Sequence, residues 1–150
     1  MIIDNPSENE TVEDDETLYR AVANDLRFFP EDGQGRRRIS STAFNDVGRR
    51  PSVDRALLCP GGPSETQMRF SPGSGVLSLV THNVRLITTI HGTTGQVYGV
   101  DVECVPLPHN PAHAEIFGRP HFDTDKIFDR IKQSLARIAV IATLPDSIAV

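Results

Sequence analysis

The sequence of 150 residues is poor in cysteine and has no long apolar run. Its two cysteines, Cys59 and Cys104, are too few for a disulfide framework, so free thiols in a reducing cytoplasm are expected. No apolar run approaches the roughly 18 residues that indicate a membrane-spanning helix. Because the N-terminus lacks the basic start and apolar core of a signal peptide, we predict a cytoplasmic protein without a membrane segment.

Lysine is also scarce, with two lysines against thirteen arginines. Arginine suits bidentate contacts with phosphate or carboxylate groups, so some of these residues are candidates for anion binding. The net charge is −5, but residues 1–16 hold seven acids and no base, which leaves +2 for residues 17–150. We predict an acidic disordered tail over 1–16 and a single domain over 17–150, in which nucleic-acid binding is disfavoured.

Residues 97–105 alternate between apolar and other side chains and predict a strand. The buried face would carry Tyr98, Val100, Val102 and Cys104. Asp101 and Glu103 would share the opposite face. Prolines at positions 106 and 108 end the strand, because proline lacks the N–H that a ladder needs.

A short helix is predicted directly after this strand. Asn110 followed by proline is typical of an N-cap and a first helical position, so the helix would span Pro111–Phe117 and stop at Gly118. His113 would then lie in the first turn, where a helix N-terminus favours the neutral imidazole.

For three segments the sequence does not decide between helix and strand, because their apolar runs are short. These segments are 17–29, 52–58 and 82–90. Residues 39–44 are β-prone and residues 76–81 predict a strand. A loop is expected over 59–64, and irregular structure over 68–75.

The clearest helix is predicted at residues 125–142, with a cap at Asp123 or Thr124 and an end at Pro145. Its apolar stripe comprises Ile127, Phe128, Ile131, Leu135, Ile138 and Ala139. We therefore predict an α+β fold in which this helix covers one face of a small, mostly antiparallel sheet.

Four segments together resemble a group of small bacterial proteins that has no assigned activity. They are Leu18-Tyr19-Arg20, Ile39 to Asp46, Pro51 to Arg55, and Asn110 to Glu115 with Gly118. The resemblance covers residues 17–140. It implies a bacterial cytoplasmic domain and points to no reaction.

Three fragments also resemble the site of one class of mono-ADP-ribosyltransferases, which act on NAD. They are Tyr19-Arg20, Ser41-Thr42 and Asp101-Val102-Glu103. The resemblance implies that Arg20 clamps a pyrophosphate, Ser41 orients the nicotinamide end and Glu103 stabilises an oxocarbenium-like ribose. The chain departs from that pattern at Ala43 and Asp101, where the class has serine and glutamate.

The candidate catalytic residues are thus Arg20, Ser41, Glu103 and His113, provided that they converge. A metal site built on His109 and His113 is disfavoured, because the predicted helix begins after His109 and the sequence has no HExxH or CxxC motif. No metal or cofactor is assigned from the sequence.

No complete catalytic motif is present, and the chain is small with a charged tail. These features favour a protein-interaction or accessory module that acts with a partner encoded in the same operon. The alternative is an enzyme or toxin similar to the NAD-dependent ADP-ribosyltransferases. Whether the chain is an enzyme stays open at this point.

Overall fold

Seven strands form one antiparallel sheet in the computed structural model, which describes residues 10–148. The strands are β1 (Thr17–Val22), β2 (Ser52–Arg55), β3 (Gly75–Val80), β4 (Thr88–Ile90), β5 (Val97–Cys104), β6 (His113–Arg119) and β7 (Val140–Thr143). Their order across the sheet is β4-β5-β6-β2-β1-β3-β7. The α-helices are α1 (Pro63–Phe70), α2 (Thr81–Arg85) and α3 (Asp125–Ile138). The fold is of the α+β class, as predicted.

The strand β5 is confirmed, but the helix predicted at Pro111–Phe117 is wrong. Residues 113–119 form β6, which pairs antiparallel with β5 from Gly99↔Arg119 to Cys104↔Ala114. The Asn110 side chain does cap a backbone N–H, that of Ala112 at 3.2 Å, yet it closes a turn rather than opening a helix. Alternate residues of β6 are buried, so packing of one strand face outweighed the local helix signal.

The C-terminal helix begins where predicted, with the Thr124 hydroxyl accepting the Ile127 N–H at 3.2 Å. It ends at Ile138, and the prediction that it continues to Ala142 is wrong. The following residues form β7, which pairs with β3. Two β-branched residues begin this strand, Val140 and Ile141, and their preference for extended backbone agrees with the early end of the helix. The buried residues of α3 belong to the same core cluster as the buried residues of the strands.

The structure shows the conformation of the three segments for which the sequence left helix and strand undecided. Residues 17–22 form a strand, 52–58 form β2 and one 3₁₀ turn, and 81–90 form α2 followed by β4. The β-prone residues 39–44 contain a 3₁₀ helix, Ser41–Phe44, whose Thr42 N–H is capped by the Ser40 hydroxyl at 3.2 Å. The loop predicted over 59–64 is wrong in part, since α1 begins at Pro63, with proline at its first position. The irregular stretch predicted over 68–75 is also wrong in part, since α1 extends to Phe70 and β3 begins at Gly75.

The N-terminal segment makes contacts before β1 begins. Residues 1–9 of the predicted tail lie outside the described residues. Val12 is buried in the core with 1% of its surface exposed, and the Glu16 carbonyl accepts the Thr81 N–H at 2.9 Å. Contacts with the domain therefore start ahead of Thr17. None of the described helices is long and apolar enough to cross a membrane.

The junction of β1 and β2 positions the candidate site. These strands pair only at Leu18↔Arg55 and Tyr19↔Asp54. Beyond that point the Arg20 side chain donates to the Ser52 carbonyl at 2.9 Å, where the backbone of β1 no longer pairs with β2. The short pairing leaves a gap beside β1, into which the 3₁₀ helix Ser41–Phe44 and α1 bring side chains.

Candidate functional site

A cleft of about 470 Å³ opens between β1, β2 and α1. Its polar lining comprises Tyr19, Arg20, Thr42, Asn45, Ser52, Asp54, Thr66, Arg69, Asn110 and His113. Phe28 and Phe70 add aromatic surface. The lining holds two arginines and one carboxylate, so it carries a net positive charge.

Asp54 supplies the carboxylate of this lining and is only 6% exposed. One carboxylate oxygen accepts hydrogen bonds from the Thr66 hydroxyl at 2.7 Å and the Arg69 guanidinium at 3.0 Å, and the other accepts one from the Asn110 amide at 2.8 Å. These bonds join β2, α1 and the turn before β6. The Asp54 carboxylate is therefore engaged in holding the cleft together.

Arg20 also lines the cleft, where its hydrogen bonds go to backbone alone and its guanidinium lies over the Phe44 ring at 5.9 Å. Its guanidinium donates to the carbonyls of Ala43 at 3.1 Å, Ser52 at 2.9 Å and Asn45 at 3.1 Å. Within residues 10–148 no carboxylate oxygen lies within 4.0 Å of it. Burial lowers the pKa of Arg20 to about 10, so the guanidinium is charged at neutral pH.

Two N–H groups of Arg20 are not used by the three carbonyls, because a guanidinium has five. Carbonyl oxygens offer only partial charge, and the Asp46 carboxylate attracts this half-buried cation only from beyond 4.0 Å. This arrangement is suited to binding an anion that enters the cleft.

His113 lies at the start of β6, directly opposite Asp54 in the sheet register. Its Nδ1 is 2.8 Å from the Val105 carbonyl oxygen. Since a carbonyl can only accept, Nδ1 carries the hydrogen, and in the neutral ring Nε2 is left as an acceptor. The helix-terminus argument for a neutral His113 no longer applies, because no helix starts there.

Glu103 does not line the cleft and forms an ion pair elsewhere. Its register partner on β6 is Glu115, and the Arg50 guanidinium bridges the two, with 2.6 Å between Nε and the Glu115 carboxylate. Arg50 also stacks over the Phe117 ring at 5.0 Å. The bridge relieves the repulsion between two carboxylates placed opposite each other.

Of the four residues predicted to converge, Arg20 and His113 line the same cleft. Ser41 lines a different groove, although the next residue of the same 3₁₀ helix, Thr42, lines the cleft. The hydroxyl-bearing residues of the cleft are instead Tyr19, Thr42, Ser52 and Thr66.

Asp54, Asn110 and Arg69 were missed by the sequence argument as members of a site. No local pattern marked Asp54, because β2 (SVDR) holds one apolar residue and two adjacent charged ones. No group of three histidine, cysteine, aspartate or glutamate side chains within residues 10–148 is arranged to hold a metal ion.

Comparisons with protein-family models, curated proteins and solved structures found no match to this chain.

Proposed function

We propose that this protein binds a small anionic molecule in the cleft, with Arg20 as the group that receives the anion. One observation carries the proposal. Arg20 faces the cleft as a half-buried guanidinium, with two N–H groups that the three carbonyls do not use and no carboxylate within 4.0 Å in the described part of the chain.

The dimensions and chemistry of the cleft support this proposal. A volume of 470 Å³ lies in the range of roughly 300–1,000 Å³ that is usual for small-molecule sites. A phosphate or carboxylate group beside Arg20 would supply the full negative charge that three carbonyls do not. Phe28 and Phe70 offer apolar contact to the rest of such a ligand. A nucleotide such as NAD, suggested by the sequence, belongs to this class.

The cleft supports binding better than it supports group transfer. Glu103, the predicted catalytic acid, pairs with Arg50 outside the cleft lining, and Asp54 already accepts three hydrogen bonds. A carboxylate that stabilises a developing positive charge must face the ligand. ADP-ribosyl transfer by Arg20, Ser41, Glu103 and His113 stays a prediction from the sequence.

Calorimetric titration with NAD, AMP, citrate and inorganic phosphate tests the proposal. We expect saturable binding of at least one probe and a loss of about tenfold or more in affinity for Arg20→Gln, because a charge-assisted hydrogen bond contributes about 1.5–3 kcal/mol. Arg27→Gln is the matched control, since Arg27 is 85% exposed and lies outside the cleft. Its affinity should equal that of the unaltered protein.

Arg20→Gln also removes backbone contacts, so thermal melting must show that the variant is folded. His113→Gln provides a second variant that keeps a polar group in the cleft lining and leaves Arg20 in place. The proposal fails if no probe saturates, or if folded Arg20→Gln binds as the unaltered protein does. Should Arg20→Gln not fold, the proposal fails if His113→Gln binds as the unaltered protein does.

A further inference from the structure

The second concave surface lies on the other side of the 3₁₀ helix Ser41–Phe44. It is a groove of about 810 Å³ between residues 37–41, the C-terminal end of α3 and the start of β7. Its floor is aliphatic and includes Pro30, Ile39, Ala136 and Ile141. The groove reaches the edge of the sheet, because Val140 and Ile141 of β7 both line it.

The walls of this groove are basic. Arg37, Arg38 and Arg137 all line it, and the lining contains no acidic residue. Arg37 is 3.2 Å from the Glu31 carboxylate, whereas Arg38 and Arg137 form no ion pair with any of residues 10–148. Ser40, Ser41 and Gln133 supply further polar groups.

The strand beside the groove is an unprotected sheet edge. β7 stands last in the strand order and pairs with β3 on one side, so its alternate N–H and C=O groups on the other side have no strand partner among the described residues. Its sequence, VIAT, carries no charge or proline, and Val140 is 63% exposed. The opposite edge differs, since the Arg130 guanidinium covers the Ile90 carbonyl of β4 at 3.0 Å.

We propose that this basic groove and the free edge of β7 bind an extended acidic segment of a partner protein, which adds to the sheet as an eighth strand. Backbone hydrogen bonds to β7 would provide affinity, and carboxylates of the segment would pair with Arg38 and Arg137. Apolar side chains of the segment would contact the aliphatic floor. The chemistry required of the partner is thus an extended run in which acidic and aliphatic residues alternate.

Two other occupants fit the groove less well. Symmetric pairing of β7 with a second copy would place two identical basic grooves side by side, and like charges repel. Single-stranded nucleic acid is bound in grooves that offer aromatic rings for base stacking, and the lining of this groove contains none.

Fluorescence polarisation with a labelled peptide of alternating glutamate, valine and threonine tests the proposal on the chain of 150 residues. We expect saturable binding at low salt and a loss of about tenfold in affinity for the double variant Arg38→Ala/Arg137→Ala, since each charge-assisted bond contributes measurably. Arg27→Ala is the control, because Arg27 is 85% exposed and lies outside the groove. The same peptide methylated at alternate backbone nitrogens should also lose about tenfold or more, because it lacks the donors for β7.

Backbone methylation distinguishes strand addition from attraction between charges alone. The proposal is overturned if the peptide does not bind at millimolar concentration, or if methylation leaves its affinity unchanged. It is equally overturned if a polyuridine of equal charge binds more tightly than the peptide. A dimer that light scattering detects, and that Val140→Lys dissociates without the peptide, would assign the edge to a second copy instead.

Discussion

Arg55 and Glu16 form a bidentate ion pair inside the hydrophobic core. Nε and Nη2 of Arg55 lie 2.7 Å and 2.9 Å from the two carboxylate oxygens of Glu16, and the side chains are only 3% and 4% exposed. Arg55 also contacts the Cys104 sulfur at 3.1 Å and Glu10 at 3.1 Å. The pair fastens the segment before β1 to β2 and β5.

Glu16→Gln is expected to lower the free energy of unfolding by about 3–5 kcal/mol, because it leaves a buried guanidinium without its main charge partner. The double variant Glu16→Leu/Arg55→Met should lose less, since it leaves neither charge buried. Urea unfolding of the three proteins measures both values. A loss below about 1 kcal/mol for Glu16→Gln, as is typical of a surface pair, would show that the pair is solvated.

Gly118 occupies a position in β6 that admits no side chain. A Cβ built there would lie 2.6 Å from the Pro120 carbonyl oxygen and 2.7 Å from the Phe122 ring. We expect Gly118→Ala to cost about 1–3 kcal/mol of unfolding free energy through overpacking. Gly99→Ala on the neighbouring strand is the control, because its nearest atom would be 3.8 Å away, and its change should stay within about 0.5 kcal/mol. Equal denaturation midpoints for the two variants would contradict this reading of Gly118.

The sequence predicted those elements whose local pattern and tertiary packing agree. The alternation of β5 and the apolar stripe of α3 are such cases. A helix was predicted in place of β6 because Asn110 followed by proline is a local cap signal. Ala114 and Ile116 are instead buried in a strand that pairs with β5. Gly118 was predicted to stop a helix, whereas in the structure it lies in β6, where a Cβ would clash with the Phe122 ring.

The candidate site was predictable only in part, for a related reason. Arg20 and His113 stood out by residue type and neighbouring motif, and they do share the cleft. That Asp54 lies opposite His113 follows from the β2–β6 register, which no local pattern specifies. Ser41 and Glu103 both lie outside the cleft. The position of Ser41 depends on the path of a 3₁₀ helix, and that of Glu103 goes with its long-range contact with Arg50.

The two thiols should be unreactive in the folded protein. Cys59 and Cys104 are 3% and 4% exposed, and burial raises the pKa of both. A raised pKa lowers the thiolate fraction at pH 8, and the thiolate is the reactive form. We expect almost no reaction with a disulfide reagent in native buffer and complete reaction of both thiols in denaturant. Rapid native reaction of either thiol would mean that its part of the core opens readily.

Asp101 should make the stability of the fold sensitive to acid. Its carboxylate accepts the Nε–H groups of Arg85 at 2.7 Å and Arg119 at 2.8 Å. Burial tends to raise the pKa of Asp101, but the Arg85 hydrogen bond, the Val102 N–H and Arg119 together bring it below the ordinary value. A carboxyl whose pKa is depressed by folding contributes stability above its unfolded pKa, near 3.9, and that stability is lost as the pH falls through its folded pKa.

Asp101→Asn is therefore expected to lower the unfolding free energy by about 1–3 kcal/mol at pH 7, where it removes the charged partner of Arg119 and leaves Arg85 with Asp14 alone. The difference from the unaltered protein should shrink as the pH falls below about 4 and through the folded pKa of Asp101, because the carboxyl is neutral in both states only below that pKa. Asp15→Asn is the control, since Asp15 is exposed and forms no ion pair with any of residues 10–148. Urea unfolding at several pH values between 3 and 7 measures the effect. A difference that stays constant over this range would show that the charge of Asp101 does not contribute, and that the loss comes from packing or hydrogen-bond geometry alone.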